Sequence, residues 1–223
     1  MRSANRWFFP PAVNGRVLAL RLCMQLITAA LRRISPVRRK LVLAAELDRI
    51  PEATSCAVFA RLREHEIDEA LALSNETDEE RALMKSRFRR GSILIGGRVD
   101  GALAFYAWTM LGEMEIGPQV FPVPPAIAYS YKVFTAPAYR RRGIACAYYS
   151  FLRRERPAQK RVLASIDPTN RASLEAHRRC GFAPFGGTWE LRGTERVMAS
   201  QSIWQLVDAE SYSHGVSWTE LNA

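Results

Sequence analysis

The chain has 223 residues, 48% of them hydrophobic and 24% charged, which suits a globular protein with one good-sized core and excludes a low-complexity or disordered chain. Its net charge of +10 is uneven: residues 1–50 carry ten Arg or Lys against Glu46 and Asp48, residues 140–179 carry eleven against Glu155, Asp167 and Glu175, and the rest is acidic by six. Two basic islands thus stand on an acidic body, and each needs its own explanation.

The four cysteines, Cys23, Cys56, Cys146 and Cys180, form no CxxC pair and have no histidines at zinc-finger spacing. That predicts a reduced, cytoplasmic chain without metal. Residues 17–33 are apolar and helix-length but interrupted by Arg21 and Gln25, short of the ~20 residues a bilayer span needs. Arg32-Arg33 and Arg38-Arg39-Lys40 stand where a secretory signal would need small residues. The extension, residues 1–40, is expected to pack as a basic amphipathic helix on the domain or on a second subunit of a homodimer. A peripheral contact of residues 15–40 with the anionic inner face of a membrane is the other reading.

From Leu41 to Val207 the pattern reads as one domain, followed by a polar tail over residues 208–223. Lys40–Ala44 and Ala57–Ala60 alternate as short strands, Glu64–Leu73 has helical spacing, and Asp78-Glu79-Glu80 precede Ala82-Leu83-Met84 as acidic residues do at a helix start. Ser92–Ile95 and Ala102–Trp108 flank Asp100-Gly101, a hairpin signal. The proline-rich Gly117–Pro125 reads as a loop, and Ala126–Thr135 as a strand broken by Pro137. Ile144, Ala147, Tyr148, Phe151 and Leu152 form an apolar helical stripe. A second β-α unit follows, with Arg161–Ile166 as strand and Arg171–Cys180 as helix, stopped by Gly181. Two such units in succession imply neighbouring parallel strands. Thr188–Leu191 and Val197–Val207 complete the domain as strand candidates.

The turn between the strand ending at Thr135 and the helix starting near Ile144 carries Arg140, Arg141, Arg142, Gly143, Ile144 and Ala145. A strand-to-helix loop directs unpaired N–H groups and the positive helix end at an anion. Gly143 and Ala145 allow close approach, and the arginines add charge-assisted donors suited to phosphate. The other reading is a solvated basic helix start.

Pro137–Ala145 resembles the acyl-CoA signature of the GNAT N-acetyltransferase superfamily: Arg or Gln, two free positions, Gly, one free position, then Gly or Ala. Asn170, Ser173, His177, Gly181 and Phe182 resemble the second signature, Asn-x-x-Ala/Ser-x-x-x-Tyr-x-x-x-Gly-Phe, at the expected distance. The resemblance implies an α+β fold with a central mixed sheet, two splayed parallel strands flanked by helices, and acetyl-CoA or another acyl-CoA as co-substrate without a metal. It implies that Phe134 and Thr135 pair with the pantetheine arm through their backbone. Residues Arg140 to Ala145 would hold the pyrophosphate, and Asn170 with Ser173 would lie at the cofactor.

The implied reaction is attack of an amine, from a small molecule or a peptide, on the thioester without a covalent enzyme intermediate. The family's tyrosine acid is replaced here by His177, which could act as the acid or be satisfied by a neighbour, leaving water, Tyr129 or Tyr131 to assist the thiolate. Glu113 and Glu115 are the candidate bases, each weighed against a plain surface role. Nucleic-acid binding, which no motif accompanies, and a catalytically inactive acyl-CoA-binding module are the competing readings.

Overall fold

The computed structural model describes residues 37–117, 119–191, 197–207 and 216–217. The expected N-terminal helix, the extension's membrane or dimer contact and most of the polar tail lie outside the described residues. Eleven strands and five α-helices are assigned among those described. In chain order they are β1 (Val37–Glu46), β2 (Val58–Arg61), α1 (Ile67–Ala72), α2 (Asp78–Arg89), β3 (Ile93–Val99), β4 (Ala102–Leu111), β5 (Glu113–Ile116) and β6 (Gln119–Pro122). Then come β7 (Ile127–Thr135), α3 (Ile144–Glu155), β8 (Arg161–Ile166), α4 (Arg171–Arg179), β9 (Ala183–Leu191), β10 (Val197–Ala199), α5 (Gln201–Trp204) and β11 (Val216–Ser217).

Nine strands form one mixed sheet in the order β11-β10-β9-β1-β8-β7-β4-β3-β2, and β5 and β6 form a separate hairpin. The neighbouring β7 and β8 run parallel, as two successive β-α units require. The strand β1 inserts antiparallel between β8 and β9, and because it begins at Val37, the sheet includes four residues of the stretch read as extension.

The local chemistry accounts for the elements. Asp100 (φ 50°) and Gly101 (φ 81°) supply the two positive φ angles of the β3–β4 hairpin turn. The Thr77 side chain caps α2 by accepting from Glu80 N, with Asp78, Glu79 and Glu80 in the first turn and Arg87 and Arg89 in the last. Alternation sends Val42 to one face of the sheet and Leu43 to the other. One core lies between the sheet and α1, α2 and the β5–β6 hairpin, with Trp108, Tyr129 and Tyr131 within it. The other lies under α3 and α4, built on Phe105, Tyr148 and Tyr149.

Three expectations are corrected. The proline-rich stretch after Gly117 contains β6, whose Val120 and Phe121 pair with Glu115 and Met114; an edge position tolerates Pro122 because no ladder N–H is needed there. The run from Val197 stops as a strand at Ala199 and turns into α5, with Ser200 in extended backbone at its start. Cys146 and Cys180 form a disulfide across 34 residues, with Cα atoms 5.1 Å apart. The two helices bring them together in space, which spacing along the chain does not reveal. Reduced thiols at these positions, and either one as a nucleophile, are thereby ruled out for this state, while Cys56 is free and exposed.

Candidate active site

The parallel pairing of β7 with β8 runs only from Ile127↔Arg161 to Ser130↔Ala164. Beyond it the strands part, and β7 continues to Thr135 with no strand among the described residues on that side. Its other edge carries a bulge: Ala107 of β4 stands opposite both Lys132 and Val133, between the pairs Tyr106↔Phe134 and Trp108↔Tyr131. The extra residue, Lys132, takes left-handed backbone (φ 46°), one of the conformations by which a strand absorbs an additional residue. Its ammonium is held by Glu76 at 2.9 Å and Glu80 at 2.7 Å.

A cavity of about 180 Å³ fills the opening, lined by Tyr131, Lys132 and Val133 on β7, Ser165 and Ile166 on β8, then Asp167 and Asn170, and Ser173 and His177 on α4. Ser130, also on its wall, bonds the buried Tyr148 hydroxyl at 2.6 Å, and Thr109 bonds the same oxygen at 2.7 Å.

The loop after β7 differs from the other long helix starts. Asn170 Oδ1 accepts from Ser173 N at 3.0 Å and so caps α4, but no side chain caps α3, whose N-cap Gly143 is left-handed. Arg141 and Gly143, with φ of 64° and 74°, bend the chain so that this turn is exposed. Its first N–H groups remain available to an outside acceptor. A Cβ at Gly143 would meet nothing nearer than Thr54 O at 3.8 Å, so glycine is needed for its backbone conformation, not for space. Uncapped donors, dipole and exposed arginines fit a pyrophosphate, and the opened strand edge fits an extended, amide-bearing arm.

Of the sequence-read residues, Asn170, Ser173, His177 and Tyr131 line the cavity. Phe134 stacks on Tyr106 with centroids 5.6 Å apart, and the Thr135 carbonyl accepts from Arg140 Nε at 3.1 Å. Arg140 therefore braces the strand end, and its guanidinium also lies over Phe134. Arg142 lies over Tyr139. Arg178 and Arg179 both pair with Glu175, so part of the second basic island is neutralised locally.

Two of the catalytic candidates are hydrogen-bonded to neighbours. His177 is 5% exposed; its Nδ1 lies 2.8 Å from the Ser173 carbonyl, which can only accept, so Nε2 accepts from the Tyr149 hydroxyl at 2.9 Å. Burial lowers its pKa, against the Ser173 bond. In the neutral ring both nitrogens are bonded, Nδ1 as donor and Nε2 as acceptor, so His177 is held by its neighbours. The Tyr131 hydroxyl donates to Ser92 Oγ at 3.1 Å, and burial pushes its pKa up to about 12. It too is held by a neighbour.

Glu115 does not line the cavity. It is nearly buried, bonded to Arg87 of α2, and burial raises its pKa although Arg87 and Lys40 oppose the rise. Arg87 lies 5.2 Å over the Tyr131 ring, which places this carboxylate on the Tyr131 side-chain face of β7. Glu113, the alternative base, is exposed. Arg87 and Lys132 escape a reading by motif. The signal for Arg87 was an arginine three residues after Met84 on the buried stripe of α2, and for Lys132 there was none, since a bulge depends on the partner strand.

The acetyltransferase (GNAT) family profile matches residues 59–182. The chain belongs to this family, whose general chemistry is acyl transfer from acyl-CoA. Among solved structures it is similar to a conserved protein of unknown function from Staphylococcus epidermidis, at 10% identity over 74% of this chain and 65% of that one, with a TM-score of 0.52. It is also similar to a GNAT-family acetyltransferase from Colwellia psychrerythraea, at 14% identity over 66% and 53%, with a TM-score of 0.50. At such identities the likeness shows the fold, and the chain spans about half to two thirds of those proteins' lengths. No curated protein matches it. Among the described residues no helix is long and apolar enough to cross a membrane, and no group of three or more His, Cys, Asp or Glu is placed to hold a metal.

Proposed function

We propose that this protein transfers an acetyl or other acyl group from acyl-CoA to a primary amine of a small molecule or peptide, by direct attack on the thioester. The observation that carries the reading is the opening between β7 and β8, with its cavity beside the uncapped, left-handed start of α3. In this reading, backbone groups from Lys132 to Thr135 bind the pantetheine arm as an added strand. The amides of residues 141–145 bind the pyrophosphate, with Arg141 and Arg142 adding charge, and Asn170 and Ser173 line the arm's path.

The chemistry needs a neutral amine. At pH 7 an ordinary amine of pKa about 10.4 is neutral only about once in ~10³ molecules, so a base must act. We assign this role to Glu115, which stands outside the cavity lining on the Tyr131 side-chain face of β7: burial raises its pKa, which makes it a stronger base than an exposed carboxylate. Nitrogen bonds to the acyl carbon, the carbon–sulfur bond breaks, and the amine proton passes to Glu115. Sulfur leaves as a thiolate, whose conjugate acid has a pKa near ~8.5 by analogy with cysteine, and takes its proton from water. No enzyme acid is required at that step, in keeping with the engaged His177 and Tyr131.

A thermal-shift screen of coenzyme A thioesters, followed by an amine panel read by thiol release, tests the proposal. Stabilisation by acetyl-CoA and amine-dependent thiol release are expected. No stabilisation by any thioester would overturn the donor site, and binding without turnover would leave an inactive acyl-CoA-binding module.

A further inference from the structure

The helix α2 packs on the sheet through Met84, which is fully buried, and one turn later through Arg87, which is 8% exposed. An apolar residue would suit that position, since replacing a buried ion pair by well-packed apolar side chains is often neutral or stabilising. Arg87 is also incompletely satisfied: its Nε is buried and has no hydrogen-bond partner among the described residues. What the guanidinium does have is two faces in use. Its NH2 holds the Glu115 carboxylate, and its plane lies over Tyr131, whose hydroxyl is anchored to Ser92 at the start of β3.

We propose that Arg87 is the positioning residue of the acceptor side, its guanidinium wedged between the Tyr131 ring and the Glu115 carboxylate so that the carboxylate is fixed in the direction from which it takes the acceptor's proton. This rests on the proposed function, in which Glu115 is the base. Arginine suits the task better than lysine because its planar fork both stacks on a ring and directs a carboxylate.

The groups around Glu115 give the sign of the effect. Lys40 of β1 and Arg87 of α2 favour its ionised form, while Glu80 of α2 and Glu190 of β9 disfavour it; Tyr129 and Tyr131 of β7 also face it and are neutral at working pH, the latter with its pKa near 12. Removing Arg87's charge takes away the larger of these two lowering influences. Glu115 then keeps its proton to higher pH.

The test uses the full chain with Arg87→Met and Arg87→Lys. The pH dependence of kcat/KM is measured with acetyl-CoA and the best amine of the panel, beside the Glu115 carboxyl titration by NMR, assigned with Glu115→Gln. In Arg87→Met the acidic limb and the carboxyl titration are expected to move up together by about one unit or more. Arg87→Lys should move less, and acetyl-CoA affinity should hold in both.

A folded Arg87→Met protein that binds acetyl-CoA and turns over slowly with an unmoved acidic limb overturns the inference, because a purely structural arginine would act that way. If Arg87→Met does not fold, Arg87→Lys decides by the same limb. An absence of acyl transfer in the unaltered protein would fail the proposed function and this inference with it. Transfer that persists with a fixed limb fails this inference alone.

Discussion

In the proposed reading the groups on the α3 and α4 side of the β7–β8 opening are backbone amides, whereas on the α2 and β5 side they are the side chains of Glu115 and of Arg87, which holds it. The first side is local: Arg140 to Ala145 is one continuous turn, and its donors exist because a helix begins there and nothing caps it. The second is assembled from α2, the β5–β6 hairpin and β7, residues 28 apart in sequence for its ion pair. A site of amides tolerates side-chain change, provided that the backbone angles survive. A site of a paired carboxylate does not, because removing either partner leaves a charge stranded in a poorly solvated place.

The largest expected effect lies on the side-chain side. Glu115→Gln should lower kcat/KM by about 10²–10⁴, the usual contribution of a general base, while acetyl-CoA affinity holds; steady-state kinetics beside calorimetry measures both. Unchanged turnover would assign the base elsewhere.

Next is the disulfide that ties the first turn of α3 to the end of α4. Cys146→Ser with Cys180→Ser should cost about 2–4 kcal/mol of stability, chiefly by freeing the unfolded chain. Denaturant unfolding reads this, and a loss below about 1 kcal/mol would mean that the bond contributes little in solution.

The amide side is probed by Gly143→Val. Forcing a β-branched residue into left-handed backbone costs about 1–2 kcal/mol, so acetyl-CoA affinity should fall about tenfold by calorimetry. Gly143→Asn, which tolerates that backbone, should keep most of it. Equal losses in both would point to crowding instead of conformation, against the open space around this glycine.

The smallest effect belongs to His177. His177→Gln should keep kcat within about tenfold, well short of the loss expected on removing a general acid. Because burial lowers its folded pKa below the unfolded value of about 6.5, the folded state binds fewer protons below that pH, and the histidine's share of stability, present above it, is lost as the pH falls. Melting curves at neutral and mildly acidic pH should show a shallower acid loss in the variant. An identical acid slope would contradict a neutral, buried ring.

Most of the element order was readable because each element carries a local signal. Examples are the Asp100-Gly101 turn, the acidic start of α2, the apolar stripe from Ile144 to Leu152, and the stop at Gly181. The errors fall where pairing partners decide. Gln119–Pro122 is a strand because β5 lies beside it, despite Pro122, and Cys146 meets Cys180 because two helices converge. Partners from elsewhere also decide the surroundings of His177. Its position in the motif matched the family's tyrosine, but Tyr149, one helix away, gives it a bond that no reading of its own helix discloses.

By itself the sequence determined the local shape of the proposed donor side: the left-handed Gly143 and the Asn170 cap at the head of α4 depend on backbone angles and capping, which neighbouring residues dictate. Only the tertiary structure decided how far β7 and β8 part, that Lys132 is the bulged residue, and that Arg87 of α2 closes on Glu115 of β5. Burial and pairing between distant segments set those features, and the energies involved come into being only when the segments meet.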